Sequence, residues 1–235
     1  MLSSETIKKL QSEQKKLDEF IIQKNNLTDN QTRESFIRTK IALLVEIGEL
    51  ANELKTFKHW KKQKEVNWEK AKEELIDCLH FYLSWANSFQ IDFSDYKFRK
   101  LVPEPEYNEL LLALFSETES FSLAVPFNIV KQKASDNIKK SWEEYLATKN
   151  ESEEKLLREK EEVAKTIEEQ KKNIEKINID FLGAIKEVKN KENFYRWLII
   201  FEELAQKLGM GSEKDIEEAY LAKNKINWER QQKNY

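Results

Sequence analysis

The chain has 235 residues, of which 40% are hydrophobic, so it is long enough to bury a substantial core. Its 40 Lys and Arg residues against 43 Asp and Glu residues give a formal net charge of −3, which argues against nucleic-acid or membrane partners recruited by a global positive field. The single cysteine, Cys78, excludes an intrachain disulfide, and we expect a cytoplasmic protein without a secretion signal or membrane span.

Apolar residues at helical spacing, together with only four glycines and three prolines, predict an all-α fold. The expected helices cover residues 4–24, about Phe36 to Thr56, about Asn67 to Phe89 and residues 106–121. The third of these is apolar nearly all round, which predicts a central position. Prolines interrupt the pattern before the fourth helix and again at Pro126, before a further one.

From residue 131 to 190 the sequence becomes rich in Lys and Glu, with apolar positions spaced seven, four and three apart. This spacing predicts a long helix or helical hairpin packed on a partner, or else a solvated surface helix with one apolar stripe. A helix over residues 193–210 follows, and Gly209 and Gly211 separate it from a last helix with Ser212 as its N-cap.

Two carboxylate pairs lie within the apolar second and third helices. Glu46 and Glu49 are three residues apart, as are Glu74 and Asp77, so each pair shares one helix face. Because apolar residues surround both pairs, we expect them to point inward, where the carboxylates would repel one another unless a divalent cation binds. All-oxygen ligands favour Mg²⁺, with Mn²⁺ as the second option. The competing interpretation is two solvated helix faces held by ion pairs.

The acidic spacing resembles a known signature. ExxE, 24 intervening residues and then ExxD is similar to the motif of the all-α nucleoside triphosphate pyrophosphohydrolases, the superfamily that contains MazG and the dimeric dUTPases. The segments EQKKLDEFI, FKHWKK, EELIDCLHFYLSW and AYLAKNKINWERQQKNY favour the dUTPase branch. The most specific of these marks is the C-terminal K-N-x-x-N-x-x-R-Q, although Asn234 stands where the family pattern has glycine.

The resemblance implies a helical bundle in which residues 1–130 and 191–235 form a dUTPase-like catalytic core and residues 131–190 form an added charged insertion. It implies Mg²⁺-dependent hydrolysis of dUTP to dUMP and pyrophosphate by attack of a metal-activated water at the α-phosphorus, and it leaves dUDP open as a further substrate. The implied metal ligands are Glu46, Glu49, Glu74 and Asp77, with Glu49 also orienting the water. The expected assembly is a homodimer, with neither nucleic acid nor membrane as a partner.

The last helix carries residues suited to a triphosphate. Lys223, Asn227 and Arg230 are spaced four and three apart, so a helix would present an ammonium, an amide and a guanidinium on one side. With the resemblance, this favours a phosphate clamp that orders around substrate. The competing interpretation is an ordinary polar helix end.

The resemblance also implies contacts to the nucleoside. Gln14 faces the uracil with Asp18 one helical turn away, Trp60 stacks on or walls in the base, and His80 and Phe81 border the deoxyribose. We expect no histidine to bind metal and Cys78 to be a small buried residue.

Two alternatives remain open at this point. The first is a pyrophosphohydrolase of the same superfamily that acts on dCTP or on a modified nucleotide, with the same metal site and a different base pocket. The second is a non-catalytic helical scaffold built around residues 131–190, in which the carboxylates are only salt-bridged. Mg²⁺-dependent turnover of a nucleotide panel separates all three.

Overall fold

The computed structural model describes residues 1–27, 32–61, 65–121 and 181–233, with side chains from residue 190 in the last range, and the single positions 136, 139, 140, 143 and 165. In this part of the chain all regular secondary structure is helical, which confirms the predicted all-α class. Internal contacts divide the chain into two units: Met1–Ala124 with Asn190–Tyr235, and Val125–Lys189.

The helices begin and end close to their predicted limits. They are α1 (Ser4–Lys24), α2 (Arg33–Leu54), α3 (Trp68–Ser88), α4 (Tyr107–Ser120), α5 (Phe181–Lys207) and α6 (Glu213–Gln232). The predicted helix 193–210 is the second part of α5, which begins earlier, at Phe181. The helix expected after Pro126 and most of the Lys- and Glu-rich segment lie outside the described residues.

Side-chain caps explain where several helices begin. Ser212 caps α6 as predicted: its hydroxyl accepts a hydrogen bond from the Asp215 N–H at 3.1 Å, and the Asp215 carboxylate accepts one from the Ser212 N–H at 2.9 Å. Asn67 caps α3 by accepting from the Lys70 N–H at 3.1 Å. Gly209, at φ 82°, allows the left-handed turn between α5 and α6.

Helix α3 is central to the unit formed by Met1–Ala124 and Asn190–Tyr235, as its apolar surface predicts. It packs against α1, α2 and α6, while α2 also packs against α4. Aromatic contacts join α3 to α5, since the rings of Tyr82 and Trp197 stack with centroids 4.2 Å apart. Trp197 also donates its indole N–H to Thr118 of α4 at 2.9 Å. Within the described residues, none of the helices has the length and apolar character to cross a membrane.

Candidate active site

Three carboxylates converge where α2 faces α3. Glu46, Glu74 and Asp77 each offer one oxygen, and these oxygens lie within 4.8 Å of one another. We call these residues the acidic cluster. Helix geometry explains the meeting, because residues three apart on α3 share a face and that face is turned toward α2. Three of the four carboxylates predicted from the two sequence pairs therefore meet in the fold.

Glu49 does not join the acidic cluster. Its side chain is exposed, so the expectation that all four carboxylates point inward is wrong for this residue. A step of three residues rotates a helix position by about 60° from perfect alignment, which suffices to carry Glu49 to the edge of the α2–α3 contact. Its charge still acts on Glu46, one turn earlier on the same helix.

Two lysines face the cluster. Lys223 of α6 lies 2.6 Å from Asp77 Oδ2, and Lys70 lies 2.9 Å from Glu74 Oε1. These contacts do not remove the repulsion: burial, and after it the neighbouring carboxylates, raise the pKa of Glu46 to about 7. Burial also raises the pKa of Asp77, against the opposing effect of the Lys223 ammonium. A hard divalent cation fits such a set of converging oxygen donors with unrelieved negative charge.

A cavity of about 360 Å³ opens beside the acidic cluster. Both Glu46 and Asp77 line it, so any ligand in the cavity lies next to the carboxylates. Six further side chains from the sequence predictions also line it: Gln14, Asp18, His80, Phe81, Asn227 and Arg230. Helices α1, α2, α3 and α6 thus each contribute functional groups to one space, although these groups are far apart in the sequence.

A buried hydrogen-bond network holds Gln14 in the cavity wall. Its amide oxygen accepts from the Tyr220 hydroxyl at 2.7 Å and lies 2.8 Å from His80 Nδ1, while its amide nitrogen donates to Asp18 Oδ1 at 2.7 Å. The rings of His80 and Tyr220 stack with centroids 4.1 Å apart. Burial, with the nearby Lys223 charge as a second cause, lowers the pKa of His80 to about 3, so the imidazole is neutral.

The predicted triphosphate residues of α6 share the expected side of the helix. Asn227 and Arg230 line the cavity, and Lys223 reaches the acidic cluster through Asp77. The segment is a helix with Ile216 and Tyr220 buried, and its ordering around substrate stays a prediction. Packing of Ile216 and Tyr220 into the core therefore places Asn227 and Arg230 at the cavity.

A family model described as dUTPase matches residues 6–155 and 145–235 of the chain. The chain belongs to the dUTPase family. This confirms the resemblance drawn from the acidic spacing, and with it the enzyme class: the protein is a dUTP diphosphatase of the all-α type. No curated protein and no solved structure matches the chain.

Trp60, which the resemblance assigns to the base of the nucleoside, lies outside the cavity lining. Trp60 is 63% exposed and is absent from the cavity lining among the described residues. It contacts His59 and Phe57 at ring centroid distances of 5.1 and 6.3 Å, forming an exposed aromatic group after α2. The contact between Trp60 and the base stays a prediction. Cys78, by contrast, is fully buried as predicted.

Sequence reasoning missed Tyr220, which holds Gln14 from behind the cavity wall of this dUTPase. The signal was present, since Tyr220, Lys223 and Asn227 follow one another at helical spacing on α6. Thr39 and Ser84 also line the cavity. Ser84 lies within the segment EELIDCLHFYLSW, but the spacing of the sequence did not single it out, and Thr39 lies outside the segments that carry the resemblance. Such residues are found only when the helices that carry them are placed beside one another.

Proposed function

We propose that this dUTPase hydrolyses dUTP to dUMP and pyrophosphate with Mg²⁺ held by Glu46, Glu74 and Asp77, and with Glu49 as a further ligand at the edge of the site. The observation that carries the proposal is the convergence of three carboxylate oxygens within 4.8 Å beside a cavity. Mn²⁺ has the same ligand preference and is the second option. When bound, the metal offsets the charge of the triphosphate and makes a water molecule more acidic.

The residues around the cluster have separate tasks in this proposal. Glu49 orients the attacking water toward the α-phosphorus, because it is a carboxylate beside Glu46 with access to solvent. Arg230 and Asn227 bind the leaving phosphates from α6. Lys223 already lies among negative charges at Asp77 and adds positive charge to the same region. Charge that develops on the leaving group is thus met by groups already in position.

The nucleoside is assigned to the other residues of the cavity. Gln14 and Asp18 face the base, while His80 and Phe81 border the sugar. Phe81 is partly buried in the cavity wall, where its ring would pack against the deoxyribose and leave no room for a 2′-hydroxyl. dUDP shares the base, the sugar and the α-phosphorus, so it is proposed as a second substrate.

A non-catalytic scaffold has one observation in its favour, the ion pairs from Lys70 and Lys223 to the cluster. A scaffold with complete pairing would leave no carboxylate strongly destabilised, whereas burial and repulsion raise the pKa of Glu46 to about 7. The dCTP alternative shares the acidic cluster and differs only at the base. The acidic cluster therefore supports the metal proposal, and Gln14 and Asp18 support the proposed choice of base.

The deciding experiment is hydrolysis of all deoxynucleoside di- and triphosphates by the full chain, with Mg²⁺, with Mn²⁺ and with EDTA. We expect dUTP to be converted to dUMP and pyrophosphate only when a divalent metal is present. Glu53→Gln, which removes a carboxylate of α2 outside the cluster, is the matched control and should retain activity. Undiminished hydrolysis in EDTA contradicts the metal proposal, and preferred turnover of dCTP contradicts the base assignment.

A further inference from the structure

One lysine of α6 occupies a carboxylate of the acidic cluster. Lys223 Nζ lies 2.6 Å from Asp77 Oδ2, and only 15% of the lysine side chain and 16% of the aspartate side chain are exposed, so water screens the pair little. The ammonium also attracts Glu46 of α2 and Glu73 of α3. Lys223 is therefore a counter-ion that a third helix contributes to the carboxylates of the other two.

The second lysine at the cluster is held differently. Lys70 lies on the same helix as its partners, 2.9 Å from Glu74 Oε1 and 2.9 Å from Glu73 Oε2. Its side chain is 42% exposed, and it keeps Glu73 as a partner when Glu74 binds a different cation. Within the described residues, the salt bridge of Lys223 is the one to Asp77, so loss of this contact leaves the ammonium without a carboxylate partner.

A divalent cation and the Lys223 ammonium compete for Asp77. A lysine ammonium is a compact positive charge with three N–H donors and no acceptor, so it cannot bind a metal and repels one placed beside it. Asp77 belongs to the proposed ligand set, and its short contact with Lys223 therefore opposes its coordination to a metal. In the nucleotide-free protein, metal binding must also break a largely buried ion pair.

The phosphates of the substrate can replace Asp77 as the partner of this lysine. Lys223, Asn227 and Arg230 are spaced four and three apart on α6, and the last two line the cavity beside the acidic cluster. The lysine side chain is a flexible four-carbon stem, so its ammonium can turn from Asp77 toward anionic oxygen atoms in this cavity. A nucleotide thus supplies the partner that metal binding removes.

We propose that Lys223 is an internal counter-ion that holds Asp77 in the nucleotide-free protein and moves to the substrate phosphates when the metal binds. The inference rests on the proposed function and deepens it, because the exchange makes the binding of metal and triphosphate cooperative. By linkage, the nucleotide should strengthen metal binding beyond the effect of direct contacts between metal and phosphate.

The first measurement is the affinity of the nucleotide-free full chain for Mn²⁺, taken from the electron paramagnetic resonance signal of unbound Mn²⁺. Lys223→Met keeps an unbranched side chain and removes the charge, so the dissociation constant for Mn²⁺ should fall at least about fivefold. Lys223→Arg keeps the charge and should bind Mn²⁺ about as weakly as the unaltered protein. Lys225→Met, an exposed lysine of the same helix outside the cavity lining, is the matched control and should show no change.

The second measurement is the affinity for α,β-imido-dUTP, a non-hydrolysable analogue, at saturating Mg²⁺ by isothermal titration calorimetry. Here Lys223→Met should bind the analogue at least about tenfold more weakly, because a charge-assisted contact to phosphate is lost. The opposite signs of the two effects identify the exchange, since a residue that only stabilised the fold would weaken the binding of both ligands.

A third variant separates the Lys223 contact from the net charge of the cluster. Lys70→Met removes one positive charge at Glu74, and its dissociation constant for Mn²⁺ should fall less than that of Lys223→Met, because Lys70 is more exposed and has a second partner. Equal tightening of Mn²⁺ binding in both variants would overturn the inference, because it would show an effect of net charge alone.

Two further results would also overturn it. These are an unchanged or weaker affinity for Mn²⁺ in Lys223→Met and an unchanged affinity of this variant for the analogue. Lys223→Gln repeats both measurements if the melting curve shows that Lys223→Met does not fold. Absence of Mn²⁺ binding in every variant would instead overturn the proposed metal site, and failure of the unaltered protein to hydrolyse dUTP would overturn the proposed activity, so the failures are distinguishable.

Discussion

At the scale of single residues, burial separates carboxylates that look alike in the sequence. Glu46 and Glu49 occupy the same ExxE motif, yet Glu46 is half-buried in the acidic cluster and Glu49 is exposed. The difference comes from the position of α3 against α2, which covers one side of the motif more than the other. The two residues should consequently respond differently when their charges are removed.

The first prediction concerns the ligands of the acidic cluster. Glu46→Gln, Glu74→Gln and Asp77→Asn should each lower Mg²⁺-dependent dUTP hydrolysis by at least about a hundredfold, since each removes an anionic ligand. Thermal melting without metal should show equal or higher stability, because a neutral amide relieves repulsion between the carboxylates. Turnover like that of the unaltered protein in any of these variants would remove that residue from the metal site.

The second prediction distinguishes Glu49 from Glu46. Glu49→Gln should lower kcat strongly while the Mg²⁺ concentration needed for half-maximal activity changes little, because an exposed residue at the edge of the cluster contributes less to metal binding. Glu46→Gln should raise the required Mg²⁺ concentration as well. A magnesium titration of both variants measures this split. If Glu49→Gln shifts the Mg²⁺ requirement as far as Glu46→Gln, then Glu49 is a full metal ligand, as the sequence motif alone predicts.

At the scale of elements, α6 joins the core to the site. Its buried side carries Ile216, Tyr220 and Asn224, and the helix packs against α1 and α3. Its other side carries the residues proposed to bind the phosphates of the substrate. Removing the whole helix would expose the core, so its role in binding is better tested through single polar side chains. Residues three and four apart share one side of a helix, so α6 can be anchored through its buried side while other positions face the cavity.

The third prediction therefore concerns Arg230. Arg230→Gln should raise KM for dUTP by about tenfold or more, because charge-assisted hydrogen bonds to phosphate are worth about 1.5–3 kcal/mol. The Mg²⁺ requirement should stay near that of the unaltered protein, since Arg230 is outside the acidic cluster. Lys225→Gln is the matched control, an exposed cation of the same helix that does not line the cavity. Equal KM values for Arg230→Gln and the control would contradict the phosphate assignment.

At the scale of the whole molecule, one buried carboxylate ties distant parts of the chain together. Glu202 of α5 is 0% exposed and accepts hydrogen bonds from the Leu2 N–H and the Tyr96 hydroxyl. Burial raises its pKa from 4.5 to about 7 despite these bonds. The folded state therefore holds a proton here that the unfolded state releases between about pH 4.5 and 7, and the contribution of Glu202 to stability falls as pH rises through that window.

The fourth prediction follows from that sign. Glu202→Gln should be more stable relative to the unaltered protein at pH 8 than at pH 5, by a difference on the order of 3 kcal/mol, since the amide carries no buried charge. Its Oε1 atom can still accept from the Leu2 N–H. Urea unfolding at both pH values gives the difference, and Glu192→Gln, an exposed position on α5, should show none. A pH-independent difference for Glu202→Gln would mean that its carboxylate is ionised in the fold throughout this range.

The fifth prediction concerns assembly. Helices α2 and α4 pack together and leave apolar side chains in solvent, among them Ile41 at 56%, Val45 at 50% and Leu112 at 70% exposure. We expect a homodimer that covers such a surface, with a total interface of about 2,000 Å² or more. The alternative is that residues 131–190 complete the core within one chain. Sedimentation equilibrium at low micromolar concentration decides, because an active species of 28.1 kDa would contradict the dimer.

Much of this fold is local and could be read from the sequence. The limits of a helix follow from apolar spacing, N-cap residues and helix-breaking residues, all of which lie close together in the sequence. For this reason α1 and the Ser212 cap are found where predicted. The carboxylate spacing likewise identified Glu46, Glu74 and Asp77, because residues three apart share a face on any helix. These features require no knowledge of how helices pack.

Tertiary packing decided the rest. Gln14 meets His80 and Tyr220 across 66 and 206 residues of chain, and no local pattern records which face of α6 lies against α1 and α3. The same packing placed Lys223 on Asp77 and left Glu49 and Trp60 exposed. Spacing along the sequence determines which residues can share a helix face. Burial and long-range hydrogen bonds depend on which faces meet, because they form only when the helices associate.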